Sequence, residues 1–176
     1  YNTSNNILTL GPALDSVRIF STTSGALSDN LFLGRSAGNL TNTGTDNVGL
    51  GSSIFANLTD GTDNIAVGKS ALTALTTGSS NIGLGLSALA GVLGGGYNIG
   101  IGYQAESIVT SGSYNIGIGK SALGAVTTNS YNIAIGDDTL NGTTGSGNIG
   151  IGSAVGQTNT TGSYNTLIGY NTNVGS

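Results

Sequence analysis

Aliphatic and small residues alternate in short bursts along this chain, and the bursts return at a fixed interval. Asn-Ile-Gly-Ile-Gly at 115–119 is one, Asn-Ile-Ala-Val-Gly at 64–68 another. Aligned on the asparagine, they begin at Asn30, Asn47, Asn64, Asn81, Asn98, Asn115, Asn132, Asn148 and Asn165. The step is seventeen residues, except for sixteen between Asn132 and Asn148. A branched aliphatic and then a glycine close every burst, from Leu33-Gly34 to Ile168-Gly169. Between the two aliphatics stands Gly or Ala in the seven inner copies, and Phe32 or Leu167 in the outer two. Period-two alternation predicts a short strand with both aliphatics on one face and Asn, Gly/Ala and Gly on the other. A helix is excluded in practice, since each interior glycine costs about 1 kcal/mol there.

A second apolar patch follows each strand, Ser-Ala-Leu at 70–72, 87–89 and 121–123, and reads as a second short strand. A polar turn completes the unit. Its glycine column (Gly44, Gly61, Gly78, Gly95, Gly112, Gly162, with Asn129 once) predicts a backbone position of positive φ. One such unit cannot bury its own apolar face, but stacked copies can. The expected fold is therefore all-β, a parallel β-solenoid of about nine 17-residue coils over 30–176. Residues 1–29 fall outside the register, apart from a worn Asn-Ile-Leu-Thr-Leu-Gly at 6–11, and form an N-terminal entry or cap segment. Stacking would put like residues above like, so the nine asparagines form a column able to bond along the axis. Each coil offers few apolar side chains for the backbone it must order. A second buried surface is needed, and the bare Asn-Gly/Ala-Gly face is the one expected to meet another chain.

Composition narrows the function. Of 176 residues 32 are glycine and only twelve are charged, for a net charge of −4, with no His, Cys, Met or Trp. So few and mainly acidic charges do not suit nucleic acid or anionic membranes. No apolar run is long enough to span a bilayer. A chain that starts at Tyr1 reads as a fragment or processed piece. Gly-Lys-Ser at 68–70 and 119–121 echoes a phosphate-binding loop, but the glycine needed five residues earlier is Asp63 or Tyr114. Without His or Cys, catalysis would rest on carboxylates such as Asp137, Asp138 and Glu106, and the adjacent aspartates of a strand point apart. We expect no enzymatic activity and no cofactor. The metal candidates are Asp29, Asp46 and Asp63, each preceding an asparagine in three successive coils and so placed to share Ca²⁺. In the same column Tyr97, Tyr114, Tyr131 and Tyr164 are the candidate contacts for a receptor or glycan, or a packing ladder.

The repeat, in Asn-Ile-Ala-Ile-Gly (132–136), Asn-Ile-Ala-Val-Gly (64–68) and the Thr-Thr-Gly-Ser turn (76–79, 160–163), resembles two related groups. One is the head repeat of trimeric autotransporter adhesins. The other, closer one is the repeat of phage and large-virus tail fibres. The resemblance covers 30–176 and implies a left-handed β-roll in a homotrimer, extracellular, on a virion or cell surface. The role it implies is spacing or host attachment through a surface receptor or glycan, with a bacterial surface adhesin head as the alternative. A third reading is an ice-binding solenoid, from the recurring pairs Thr76-Thr77, Thr127-Thr128, Thr143-Thr144 and Thr160-Thr161. Neighbouring threonines of a strand face opposite ways, which leaves one hydroxyl per face and coil.

Overall fold

The computed structural model describes residues 22–23, 27–39, 41–107, 110–125, 128–142, 144–157 and 161–173. The worn copy at 6–11 lies outside them. In the entry segment β1 (Thr22–Thr23) and β2 (Leu27–Ser28) pair antiparallel. The regular stack begins at β3 (Leu31–Leu33). It continues through β4 (Val48–Leu50), β5 (Ile65–Val67), β6 (Ile82–Leu84), β7 (Ile99–Ile101), β8 (Ile116–Ile118), β9 (Ile133–Ile135) and β10 (Ile149–Ile151) to β11 (Thr166–Ile168). These form one nine-stranded parallel sheet in sequence order, a β-solenoid of about eight turns. Like pairs with like, as in Ile65 with Ile82, Ala66 with Gly83 and Val67 with Leu84. Ile133 still pairs with Ile149, so the sixteen-residue coil loses its residue from the turn and keeps the strand register.

The asparagine column is what makes that register hard to slip. Asn64 donates its backbone N–H and its Nδ2 to Oδ1 of Asn47, at 3.0 and 2.9 Å. Its Nδ2 also donates to the Gly78 carbonyl at 2.9 Å. Asn81, Asn98 and Asn148 repeat the pattern, and the inner asparagines are wholly buried. Each amide thus satisfies the neighbouring coil's strand entry and its own coil's turn. A one-residue slip would orphan all of these groups in a dry interior, where each costs about 1–3 kcal/mol.

Three expectations are corrected. The face assignment is reversed: Asn, Gly and Ala point into the coil, and the two aliphatics of each strand point out. Ala66 and Ala134 are fully buried, while Val48, Leu50, Ile65, Val67, Ile135 and Ile151 are exposed. The bare face is therefore not free to meet another chain. Room decides this. The interior is filled from the opposite side by Phe55, Leu72, Leu89, Leu123 and Leu140, all fully buried. A Cβ on Gly83 would lie 3.3 Å from Leu72 Cγ, and one on Gly100 2.9 Å from Leu89 Cγ. Only glycine or alanine fits opposite such a leucine, so the larger Ile and Val are turned outward. At the ends of the stack Phe32 and Leu167 take the small residue's place and close the core.

The Ser-Ala-Leu patch is the second correction. It forms turns, tied coil to coil by bonds such as Leu72 N–H to Ala88 O at 3.0 Å. The third concerns φ. Gly44, Gly61, Gly78, Gly95 and Gly112 do not adopt positive φ; a Cβ there would run into the carbonyl one coil on, the Gly61 oxygen in the case of Gly44. Positive φ falls instead on Ser70 (58°), Leu72 (49°) and Ser80 (60°) of a typical coil, besides Gly68 (122°). Left-handed residues turn each corner, and a leucine accepts that strain because the corner delivers its side chain to the core.

Candidate functional site

The candidates are the tyrosine and aspartate columns, the Lys120–Asp137 pair, the threonine hydroxyls and the aliphatic wall on the surface, and the buried Glu106 in the core. The tyrosine column is built by the corner just before each asparagine, where Tyr97, Tyr114 and Tyr131 have φ of 60°, 59° and 64°. Their rings stack face to face, with centroids 4.8 and 5.1 Å apart and planes within 2°. That spacing is the rise of one coil. All three are about half exposed or more. The inner ring faces are used on one another, so the ladder offers solvent its edges and hydroxyls. Tyr164 stands apart: Gly147 interrupts the column, and the Tyr164 ring lies against that glycine, 2.7 Å from where a Cβ would sit. The four tyrosines are one column with a break, not one platform.

The aspartates occupy the same column lower in the stack. Asp29, Asp46 and Asp63 are all exposed, and Asp63 Oδ2 accepts from the Thr62 hydroxyl at 3.1 Å. Among the described residues no three Asp, Glu, His or Cys side chains gather to hold a metal ion. Asp29, Asp46 and Asp63 thus stand as exposed carboxylates at one register position of three successive coils.

Lys120 of the Gly-Lys-Ser stretch extends outward and pairs with Asp137 of the next coil at 3.6 Å, both side chains about half exposed. Asp138 instead accepts from Asn141 Nδ2 at 3.3 Å. The two neighbouring aspartates serve different partners. Of the paired threonines, Thr76 uses its hydroxyl within the stack, Oγ1 donating to Leu93 O at 2.8 Å, as Thr59 Oγ1 does to Thr76 O at 3.0 Å. They bond along the axis.

The aliphatic wall was not foreseen as a surface. Two side chains per strand over nine strands, Leu31 with Leu33 through to Thr166 with Ile168, make a continuous band down the roll. Leu50 is 52% exposed and Ile168 65%. Exposed apolar patches this continuous mark contact sites. No protein-family model matches the chain, and no curated protein or solved structure does.

Proposed function

We propose that this chain is a structural and adhesive segment of a trimeric viral fibre, phage-like, carried on the virion surface and spacing or presenting a host-binding region. The observation that carries the reading is the aliphatic wall. A band two side chains wide along the whole roll is covered most simply by the same band on further copies of the chain, because every coil repeats it at the same height. Three copies about an axis parallel to the roll, each left-handed, is the arrangement that the motif's resemblance to tail-fibre and adhesin-head repeats implies. Low charge and absence of Cys suit such a shaft. The half-exposed tyrosine ladder is the surface that a host receptor or glycan would meet.

The wall can be tested by charge. Ile116→Lys together with Ile118→Lys puts two ammonium groups on β8 in each copy, which would face one another at a shared interface. The expected result is dissociation to a smaller species by size-exclusion chromatography with light scattering. Leu93→Lys, at a more exposed position (47%) outside the strand wall, should leave the mass unchanged. An assembly that tolerates both lysines on β8 excludes this face as the interface.

A further inference from the structure

Glu106 contradicts its surroundings. It occupies the core position that Leu72, Leu89, Leu123 and Leu140 hold in other coils, and like them it is fully buried. Its backbone is held in the same corner, with φ 50° against 49° for Leu72 and 53° for Leu89. The Glu106 N–H donates to Ala122 O at 2.9 Å, and the Leu89 N–H donates to Ala105 O at 2.9 Å. Pinned from both neighbouring coils, the corner aims the side chain inward. A Cβ on Gly117 would lie 2.8 Å from Glu106 Cγ and 3.1 Å from Oε1, so the carboxyl rests on the strand of the next coil. Neither carboxyl oxygen has a hydrogen-bond partner.

We infer that Glu106 is a proton-dependent joint in the roll: the coil carrying it stacks with the carboxyl neutral, and loss of that proton loosens the stack around residues 98–131. Nothing nearby can neutralise a charge. The other titratable groups of the three coils concerned are Tyr97 below, Tyr103 and Tyr114 in the same coil, and Lys120 and Tyr131 above. The four tyrosines are exposed on the outside, and Lys120 is turned out toward Asp137. A buried carboxylate without partner or counter-charge is strongly disfavoured against the neutral acid.

Burial accordingly raises the Glu106 pKa from 4.5 to about 8; the Gly117 backbone N–H, near the carboxyl but short of hydrogen-bond geometry, opposes the shift only in part. The sign follows from linkage. Below pH 4.5 folded and unfolded chains both keep the proton. Between 4.5 and about 8 only the folded chain keeps it, so rising pH favours unfolding, and the stability is lost through pH 8. The chain has no histidine or cysteine, so no other side-chain type with an ordinary titration range near neutrality complicates the readout.

The test uses the full assembled chain, melted at pH 5, 7 and 9 in parallel with Glu106→Gln and Glu106→Leu. The melting temperature of the unaltered chain should fall with each step. Glu106→Leu, which completes the leucine column, should melt higher at every pH and show none of that fall; Glu106→Gln should also lose the pH dependence. A fall of equal size in Glu106→Leu overturns the inference. Infrared spectroscopy of the unaltered chain gives an independent reading that needs no variant. A protonated-carboxyl band should persist at pH 6 and fade as the pH rises through and beyond 8. Its absence at pH 6 would contradict a neutral Glu106.

Discussion

Gly102→Ala should be among the most damaging single-methyl changes in this chain. Gly102 closes the β7 burst with φ of 132°, a region that side-chain-bearing residues rarely enter. An added Cβ would also lie 2.6 Å from the carbonyl oxygen and 2.8 Å from the carbonyl carbon of Gly119, the equivalent residue one coil on. Backbone strain contributes about 1–3 kcal/mol and forced overpacking about 1–3 kcal/mol. Neither can relax easily, because the obstacle is backbone rather than the end of a flexible side chain. Moving Gly119 would push against Gly136, whose carbonyl stands in the same relation to it. We expect thermal and urea midpoints to fall sharply. Gly94→Ala is the matched control: Gly94 is exposed, and its added methyl would meet only Thr77 Oγ1 at 3.3 Å. That variant should melt within a few degrees of the parent.

Asn81→Ala should come next in severity. Alanine removes an oxygen that accepts from the Asn98 backbone N–H at 3.0 Å and from Asn98 Nδ2 at 3.1 Å. It also removes the amide that donates to Asn64 Oδ1 and to the Gly95 carbonyl at 2.9 Å. The Asn98 N–H and the Gly95 carbonyl lose the partners that Asn81 gave them, at about 1–3 kcal/mol each. Asn81→Asp should be worse, since it sets a charged acceptor beside the Asn64 oxygen and still leaves Gly95 unserved. Asn165→Ala, in the last coil and only partly buried, removes the Nδ2 donor to Asn148 Oδ1 but no bond to a following coil, and should cost less. Equal melting of Asn81→Ala and Asn165→Ala would refute the ladder as the source of register.

Repeat period, strand positions and the stacking of like on like were legible in the sequence because they follow from spacing alone. Asn64 and Asn81 are seventeen apart and bond directly. Which face turns inward was not legible from hydropathy, since Ile65 and Val67 are the more apolar pair and yet lie outside. The signal was present as a size constraint: a Gly or Ala in seven inner copies, set against a recurrent leucine eight residues after the asparagine. A narrow interior has room for one large side chain per level, and Leu72 takes it. The positive-φ positions were misplaced for a similar reason. Glycine at 44, 61 and 78 reports close approach between coils, whereas the left-handed corners carry Ser70, Leu72 and Ser80, which no propensity rule would select. Tyr97, Tyr114 and Tyr131 form the stacked column that their register predicts, and Asp29, Asp46 and Asp63 are exposed at the same register position lower in the stack.

Sedimentation equilibrium of the unaltered chain at low micromolar concentration bears most directly on the aliphatic wall and its partner. If the exposed Ile, Leu and Val columns are covered by copies of the same chain, the mass will be three times 17.2 kDa and will not fall on tenfold dilution. A species of 17.2 kDa with an intact β-sheet spectrum at that concentration would contradict the trimeric fibre segment, because the wall would then be stable in open water.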